Sequence, residues 1–402
     1  MTIIVTGGDG YLGWPTGLRI ASQTTDRVLL VDNFARREWV SDVGSVSATS
    51  IADIETRVTA AKEVHECANL SFVEGDLTER AFIDELLDVH DPDTIVHTAA
   101  QPSAPYSQIN GERANYTQHN NMQATRNLVF GLEEHDLTET HFIETTTTGV
   151  YGAPAFPIPE GGAVMENQGQ RDEVPFPAMA GSWYHMTKSH DAANLRLAHS
   201  QFDIPISDVR TAIIYGTGIE ETRADDRLAT RFDFDYYFGV VAHRFIAQAI
   251  AGYPITVYGK GEQRKPFIAL EDAVEGLTRL ALTDPTERPA DHVVYNQVTR
   301  PISIVEMGTT IANVATEYGY DTTVEHFENP RDEDETHKME IENDRYAELI
   351  GGQSVTFTEG VETIFATLSE YEDRIAAYED RFLPGVLEDR LEEDTDESKS
   401  RS

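Results

Sequence analysis

Thr6-Gly7-Gly8-Asp9-Gly10-Tyr11-Leu12-Gly13 follows directly on the apolar run Thr2–Thr6 and opens a stretch with helical spacing. In a strand–turn–helix setting, glycines at 7, 10 and 13 let the backbone turn tightly and approach a pyrophosphate at the N-terminus of the helix. A glycine turn that merely packs a helix on a sheet has the same residues, so the decision lies further out. The next apolar run ends in Val31-Asp32-Asn33, about 20 residues on, where a carboxylate accepts hydrogen bonds from both hydroxyls of an adenosine ribose. Asp32 would repel the extra phosphate of NADP, which points to NAD. Arg36 and Arg37, close behind, are the residues that would welcome that phosphate instead.

Working outward, β-branched runs at Thr2–Thr6, Arg27–Val31, Leu70–Glu74, Thr94–His97, His141–Thr146 and Ile204–Thr211 alternate with helical stretches. That alternation predicts a parallel sheet covered on both faces, wound by right-handed crossovers. A longer insertion, 34–69, separates the second run from the third, and its 50–66 portion reads as helical. After Tyr215 the pattern changes to short mixed elements rich in aromatics, such as Phe232-Asp233-Phe234-Asp235-Tyr236-Tyr237-Phe238. The expected class is α/β: a Rossmann-type doubly wound parallel sheet with a smaller mixed α/β substrate lobe. Residues 1–212 are expected to form the NAD-binding domain and 213–385 mainly the substrate lobe, with some segments returning to the first domain. Residues 386–402 read as an acidic disordered tail.

Composition removes several function classes. The 402 residues are 40% hydrophobic and 9% aromatic, enough for a sizeable core, and no apolar run approaches the about 18 residues of a membrane span. Acidic residues outnumber basic ones 70 to 31, with only six lysines, for a formal charge of −39. Such a surface repels nucleic acid and anionic membranes, so neither is an expected partner. The acids are spread over the whole chain, which fits a cytosol salty enough to screen them, the Debye length falling to about 3 Å near 1 M. The charge therefore reports a halophilic habitat rather than a function. Cys67 is the single cysteine, which excludes a disulfide framework and a cysteine-cluster metal site, and no metal is expected. The N-terminus enters an apolar strand with no basic leader, so the cytoplasm is the expected compartment.

Tyr184-His185-Met186-Thr187-Lys188 stands where a long helix should begin, and the i, i+4 spacing puts Tyr184 and Lys188 on one face. A tyrosine ordinarily titrates near 10, and a neighbouring ammonium favours the phenolate, so Tyr184 can serve as a base for an alcohol that is losing hydride. The fifth run ends in Thr145-Thr146-Thr147-Thr148-Gly149, which supplies a hydroxyl to bridge the reacting alcohol and the tyrosine. Each feature alone is commonplace, a helix-surface pair or a β-rich run. Their order along the chain favours catalysis.

The chain resembles the extended short-chain dehydrogenase/reductases that act on nucleotide sugars, the NAD-dependent epimerase/dehydratase family. Within that family it is most similar to the UDP-sulfoquinovose synthases. The likeness is carried by Gly7–Gly13 with Trp14, Val31-Asp32-Asn33 with Arg36-Arg37, Gln101 with Ser103-Ala104-Pro105-Tyr106-Ser107, Tyr116-Thr117-Gln118-His119-Asn120-Asn121 and Trp183-Tyr184-His185. Ile255–Gly261, Tyr295-Asn296-Gln297 and Asn329-Pro330-Arg331 extend it to about residue 370. The resemblance implies Thr147, Tyr184 and Lys188 as the catalytic triad. It implies cofactor contacts from Gly7, Gly10, Tyr11, Leu12, Gly13, Asp32, Asn33, Arg36, Asp76, Leu77, Ala99, Asn120, Tyr184 and Lys188. For the sugar nucleotide or the incoming anion it implies Gln101, Ser103, Thr147 and His185, with Lys265 and Arg331 clamping the diphosphate. His119 reads equally well as a satisfied core histidine.

The implied reaction oxidises C4 of UDP-glucose, expels water across C5 and C6, adds sulfite, and reduces the ketone again with the same NAD. A UDP-sugar, sulfite or a sulfite-donating protein, and a second copy of the chain are the implied partners. There are departures. Pro102 replaces the Arg of plant-type Gln-Arg-Ser-Ala-Pro-Tyr-Ser, Val150 a Glu, and Lys265 an Arg. His185 is then the nearest residue to carry a proton and a positive charge for the anion. Thr148 and Gly149 replace the Asp-Glu pair of the dehydratase cousins, which disfavours a dTDP-glucose-type 4,6-dehydratase. A UDP-sugar 4-epimerase needs only the triad and NAD and stands as the alternative, with a non-catalytic NAD-binding regulator more remote.

Overall fold

The computed structural model describes residues 1–176, 179–328, 339–352 and 354–383. Its centre is a sheet of seven parallel strands: β1 (Thr2–Thr6), β2 (Arg27–Asp32), β3 (Leu70–Glu74), β4 (Thr94–His97), β5 (His141–Thr147), β6 (Ile206–Thr211) and β7 (His292–Gln297). Their order is β7-β6-β5-β4-β1-β2-β3, a doubly wound sheet that reverses direction between β1 and β4. β7, missing from the sequence reading, returns from the later part of the chain to pair with β6. Its short His292–Gln297 run carries only two β-branched residues, so local pattern did not mark it.

Successive strand residues point to opposite faces, and each face finds its own helices. Ile3 and Val5 pack with Trp14 and Leu18 of α1 (Gly13–Gln23), Val58 of α2 (Ile54–His65), and Leu277 and Leu280 near the C-terminal end of the helix Leu270–Ala281. Ile4 faces the other way, with Leu87 of α3 (Arg80–His90), Leu128 and Leu132 of α4 (Gly111–Glu134) and Leu195 of α5 (Trp183–Phe202). The insertion supplies α2, whose N-terminus is capped by Asp53 accepting from Thr56 N at 2.8 Å. This helix buries Arg57 completely, its guanidinium 4.0 Å from the Trp14 ring centre.

A second core gathers Phe232, Phe234, Phe245, Phe267, Ile302 and Phe365. Around it lie two small sheets, Ile255–Tyr258 with Val324–Phe327, and Arg264–Ala269 between Ile213–Tyr215 and Arg300–Ser303. An exposed hairpin, Gly162–Asn167 with Gln170–Pro175, stands between the end of β5 and α5. Among the described residues no helix is long and apolar enough to cross a membrane. The expected tail, 386–402, lies outside the described residues.

Candidate active site

The carboxyl ends of the parallel strands converge on one edge of the sheet, where ligands of open α/β sheets bind. After β1, Gly7 takes a φ of 73°, and its carbonyl accepts Gly10 N at 2.9 Å. A Cβ on residue 7 would meet Thr98 Oγ1 at 2.8 Å and Ala99 N at 2.9 Å, and one on residue 13 would lie 2.0 Å from Gly7 O. The turn closes this tightly only without side chains. At the end of β2, Asp32 accepts Asp9 N at 3.0 Å and Phe34 N at 2.6 Å. Burial raises the Asp32 pKa, against these N–H groups that favour the anion. An open backbone cradle beside a carboxylate on the neighbouring strand end fits a dinucleotide.

Arg37 does not wait for a phosphate. Its guanidinium forks onto Asp9 at 2.7 Å through Nε and Nη2, and Arg57 reaches the same carboxylate at 2.9 Å. Arg36 turns to Asp233 at 2.6 Å and lies 4.2 Å from the Phe238 ring centre, with Nη1 buried and unpartnered. Tyr11 sends its hydroxyl to Gly216 O at 2.9 Å, so it ties the glycine turn to the later part of the chain. Leu12 is the residue before α1, and Leu77 is buried beyond β3. Asn33 donates to Asp76 at 3.1 Å, and Asp76 also accepts Thr78 N at 2.8 Å. Ala99 follows β4.

On the other side of the switch point, Thr147 ends β5, its Oγ1 accepting Gly149 N at 3.1 Å. Ser182 caps α5 by accepting His185 N at 3.1 Å, which starts the helix one residue before Tyr184. Lys188 is buried, its Nζ 3.2 Å from Glu144 Oε1 and 3.7 Å from Asp191 Oδ2. Burial pulls the ammonium down, but Glu144 and Asp191 outweigh it and hold Lys188 charged. Tyr184 is raised, by burial first, with Lys188 acting against that rise. Neither Glu144 nor Asp191 stood out in the sequence reading, although a Glu inside the strand His-Phe-Ile-Glu-Thr was a legible signal of a buried partner.

The surroundings of four further residues can be described. The His185 ring lies against Gly149, where a Cβ would be 2.4 Å away, and burial pushes its pKa down to about 4, with Lys265 adding to the fall. Burial and Lys265 therefore both work against a positive charge on His185. Gln101 is buried, with its amide committed to Ser103 O at 3.2 Å and Thr117 Oγ1 at 3.1 Å and its carbonyl accepting Ser103 N. Ser103 in turn donates to Tyr237 O and accepts Tyr106 N at 3.0 Å, so both residues brace the loop after β4. His119 is exposed, which removes the core-histidine reading.

Asn120 donates to Asn121 Oδ1 at 3.1 Å. Asn121, quoted in the Tyr116–Asn121 stretch but given no role there, accepts Gln101 N at 2.8 Å and donates to Gln101 O and Thr187 Oγ1, tying the β4 loop to α5. Lys265 lies half-buried in the strand Arg264–Ala269. Arg331, with Asn329 and Pro330, lies outside the described residues.

Comparison with known proteins identifies the family. The family model for the NAD dependent epimerase/dehydratase family matches residues 3–296, and the chain belongs to that family. It is an NAD-dependent enzyme of the extended short-chain dehydrogenase/reductase type. Over nearly its full length it is similar to the UDP-sulfoquinovose synthase of Sulfolobus acidocaldarius, 36% identical over 385 residues, 96% of each chain. It is 33% identical to the chloroplastic UDP-sulfoquinovose synthase of Spinacia oleracea over 373 residues, 93% of this chain and 76% of the relative. Among solved structures, the UDP-glucuronic acid 4-epimerase of Bacillus cereus, in complex with UDP-glucuronic acid and NAD, shares the fold. Its TM-score is 0.67 at 21% identity, covering 92% of this chain and 99% of the other.

Proposed function

We propose that this chain is a UDP-sulfoquinovose synthase, converting UDP-glucose and sulfite to UDP-sulfoquinovose and water through a 4-keto sugar. The similarity to two such synthases over more than nine-tenths of the chain carries the reading. NAD, when bound, supplies the acceptor for hydride from C4 and returns it at the end, so the net reaction needs no outside oxidant. Tyr184 takes the O4 proton, with Lys188 favouring its phenolate and the Thr147 hydroxyl bridging tyrosine and sugar oxygen. The C4 ketone acidifies C5–H, water leaves from C6, and sulfite adds to the alkene. Glycine turn and Asp32 hold the cofactor. Because Pro102 offers no charge and burial works against a charged His185, we move Lys265, whose charge acts on His185, from the diphosphate clamp of the resemblance to the incoming anion.

A homodimer through the adjacent helices α4 and α5 is supported by exposed Tyr116 and Phe130 on the first and Trp183 and Leu197 on the second. The acidic surface fits a salt-rich cytoplasm.

A UDP-sugar 4-epimerase is the second reading, favoured by Pro102 in place of a cation. Incubating the protein with UDP-glucose in molar salt, with and without sulfite, and resolving the nucleotide sugars by chromatography and mass spectrometry separates the two. A sulfonated nucleotide sugar that forms only with sulfite is expected. UDP-galactose with no sulfonated product at any sulfite concentration would make it an epimerase.

A further inference from the structure

Behind Tyr184 lies a buried cluster that the proposed chemistry does not use. Glu144 sits in the middle of β5, and its side chain is wholly inaccessible, as is that of Asp191, one turn beyond Lys188 on α5. Two carboxyl groups and one ammonium have therefore left water together. If both carboxyls were ionised, the cluster would carry an uncompensated negative charge in a low-dielectric interior, where two carboxylates at one site cannot both ionise near neutral pH.

The hydrogen bonding says the same. Lys188 and Thr125, whose Oγ1 is 3.3 Å from Glu144 Oε1, are the donors, while Glu144 Oε2 and both Asp191 oxygens have no hydrogen-bond partner. A buried carboxylate normally gathers several donors. The other elements packed around the cluster bring no further charge to balance it. From β4 comes His97, bonded to Thr6 Oγ1 at 2.7 Å and kept neutral by burial. From β6 comes Asp208, already held by Arg210 at 3.0 Å and by Thr146. Tyr184 faces it from α5.

We propose that Glu144 and Asp191 are positioning residues that hold one proton between them, anchor the Lys188 ammonium, and through it set the pH at which Tyr184 can take a proton. The role in setting that pH rests on the Tyr184–Lys188 reading above. With one proton on the pair, the cluster is neutral overall, and Lys188 keeps its pull on the phenol without an excess of negative charge beside it. Burial is the first cause that raises both carboxyls, and Glu144 raises Asp191 further.

The isosteric variants Glu144→Gln, Asp191→Asn and the double variant test this in two ways. Infrared difference spectra at neutral pH, wild type minus each single variant, should show a carboxylic-acid carbonyl band, because the one remaining carboxyl ionises against Lys188. Absence of that band in both differences overturns the shared proton. In the pH–rate profile of sugar oxidation, each single variant should keep the acidic limb close to the wild type, since one carboxylate remains. The double variant leaves the buried ammonium with no carboxylate to hold its proton, so Lys188 loses its pull on the phenol and the limb should move to higher pH by on the order of one unit, with KM little changed. A single variant that shifts the limb as far as the double, or a double variant that shifts nothing, also overturns the proposal. Near-normal turnover in Tyr184→Phe would instead defeat the Tyr184 reading, and the infrared measurement would then judge the shared proton by itself.

Discussion

Tyr184 and Lys188 stand one helical turn apart, and the environment of each is set by what α5 packs against. Because Tyr184→Phe removes only the phenolic oxygen, it should keep cofactor content and lower turnover by about 10²- to 10⁴-fold. Turnover close to the wild type, in protein that still carries NAD, would show that another group takes the proton. Asp32 makes a second residue-scale prediction. Asp32→Ala removes a carboxylate acceptor for ribose hydroxyls, so retention of NAD should weaken by about 1.5–3 kcal/mol for each charge-assisted bond lost. It should not turn the protein to NADP, because Arg37 is already paired with Asp9. Cofactor extracted from the denatured variant and identified by chromatography checks this, and NADP in that extract would refute it.

At the scale of elements, the entry of α1 depends on Gly13. An alanine there would set its Cβ 2.0 Å from Gly7 O and 2.8 Å from Thr98 Oγ1, backbone and a short side chain that cannot swing away. Gly13→Ala should push α1 off the β1 turn, and the expected outcome is a lower melting temperature together with loss of bound NAD. A stable variant that still retains NAD would contradict the geometry.

The helix Leu270–Ala281 carries a different prediction. Asp272 in its first turn is buried, and burial raises its pKa to about 7, against the N–H of Val355 and with help from Glu271 and Glu275. The unfolded value lies near 4. Folded protein therefore keeps this proton after the unfolded chain has lost it, and stability from this site falls as pH rises from about 4 through about 7. Asp272→Asn can still accept from Val355 N at the amide oxygen. It should match the wild type below about pH 4 and melt higher above pH 7, by on the order of a few kcal/mol in stability. Melting curves whose difference does not change with pH would rule this out.

For the whole molecule, a formal charge of −39 is self-repulsion that dissolved salt screens. The melting temperature should rise from low to molar salt, and a flat series would remove the halophilic reading while leaving the enzyme reading intact. The strands β1 to β6 were legible in the chain because each carries a short run of β-branched or aromatic residues between helical stretches, although β5 and β6 also bury Glu144, Asp208 and Arg210. The glycine turn and Asp32 were legible because a close backbone approach and a ribose acceptor demand particular residue types at short spacing. Tyr184 and Lys188 could be proposed from the order of motifs, and Thr147, among four successive threonines, from the resemblance. What sequence could not show is which polar side chains face one another. Gln101 and Asn121 lie 20 residues apart, Arg37 and Asp9 lie 28 apart, and Glu144 and Lys188 lie 44 apart. β7 and the surroundings of His185 likewise depend on segments far away in the chain. Periodicity and turn chemistry act over a few residues and were decided by the sequence itself. Pairing, burial and protonation depend on the field made by the whole packed chain, and only the tertiary structure decided them.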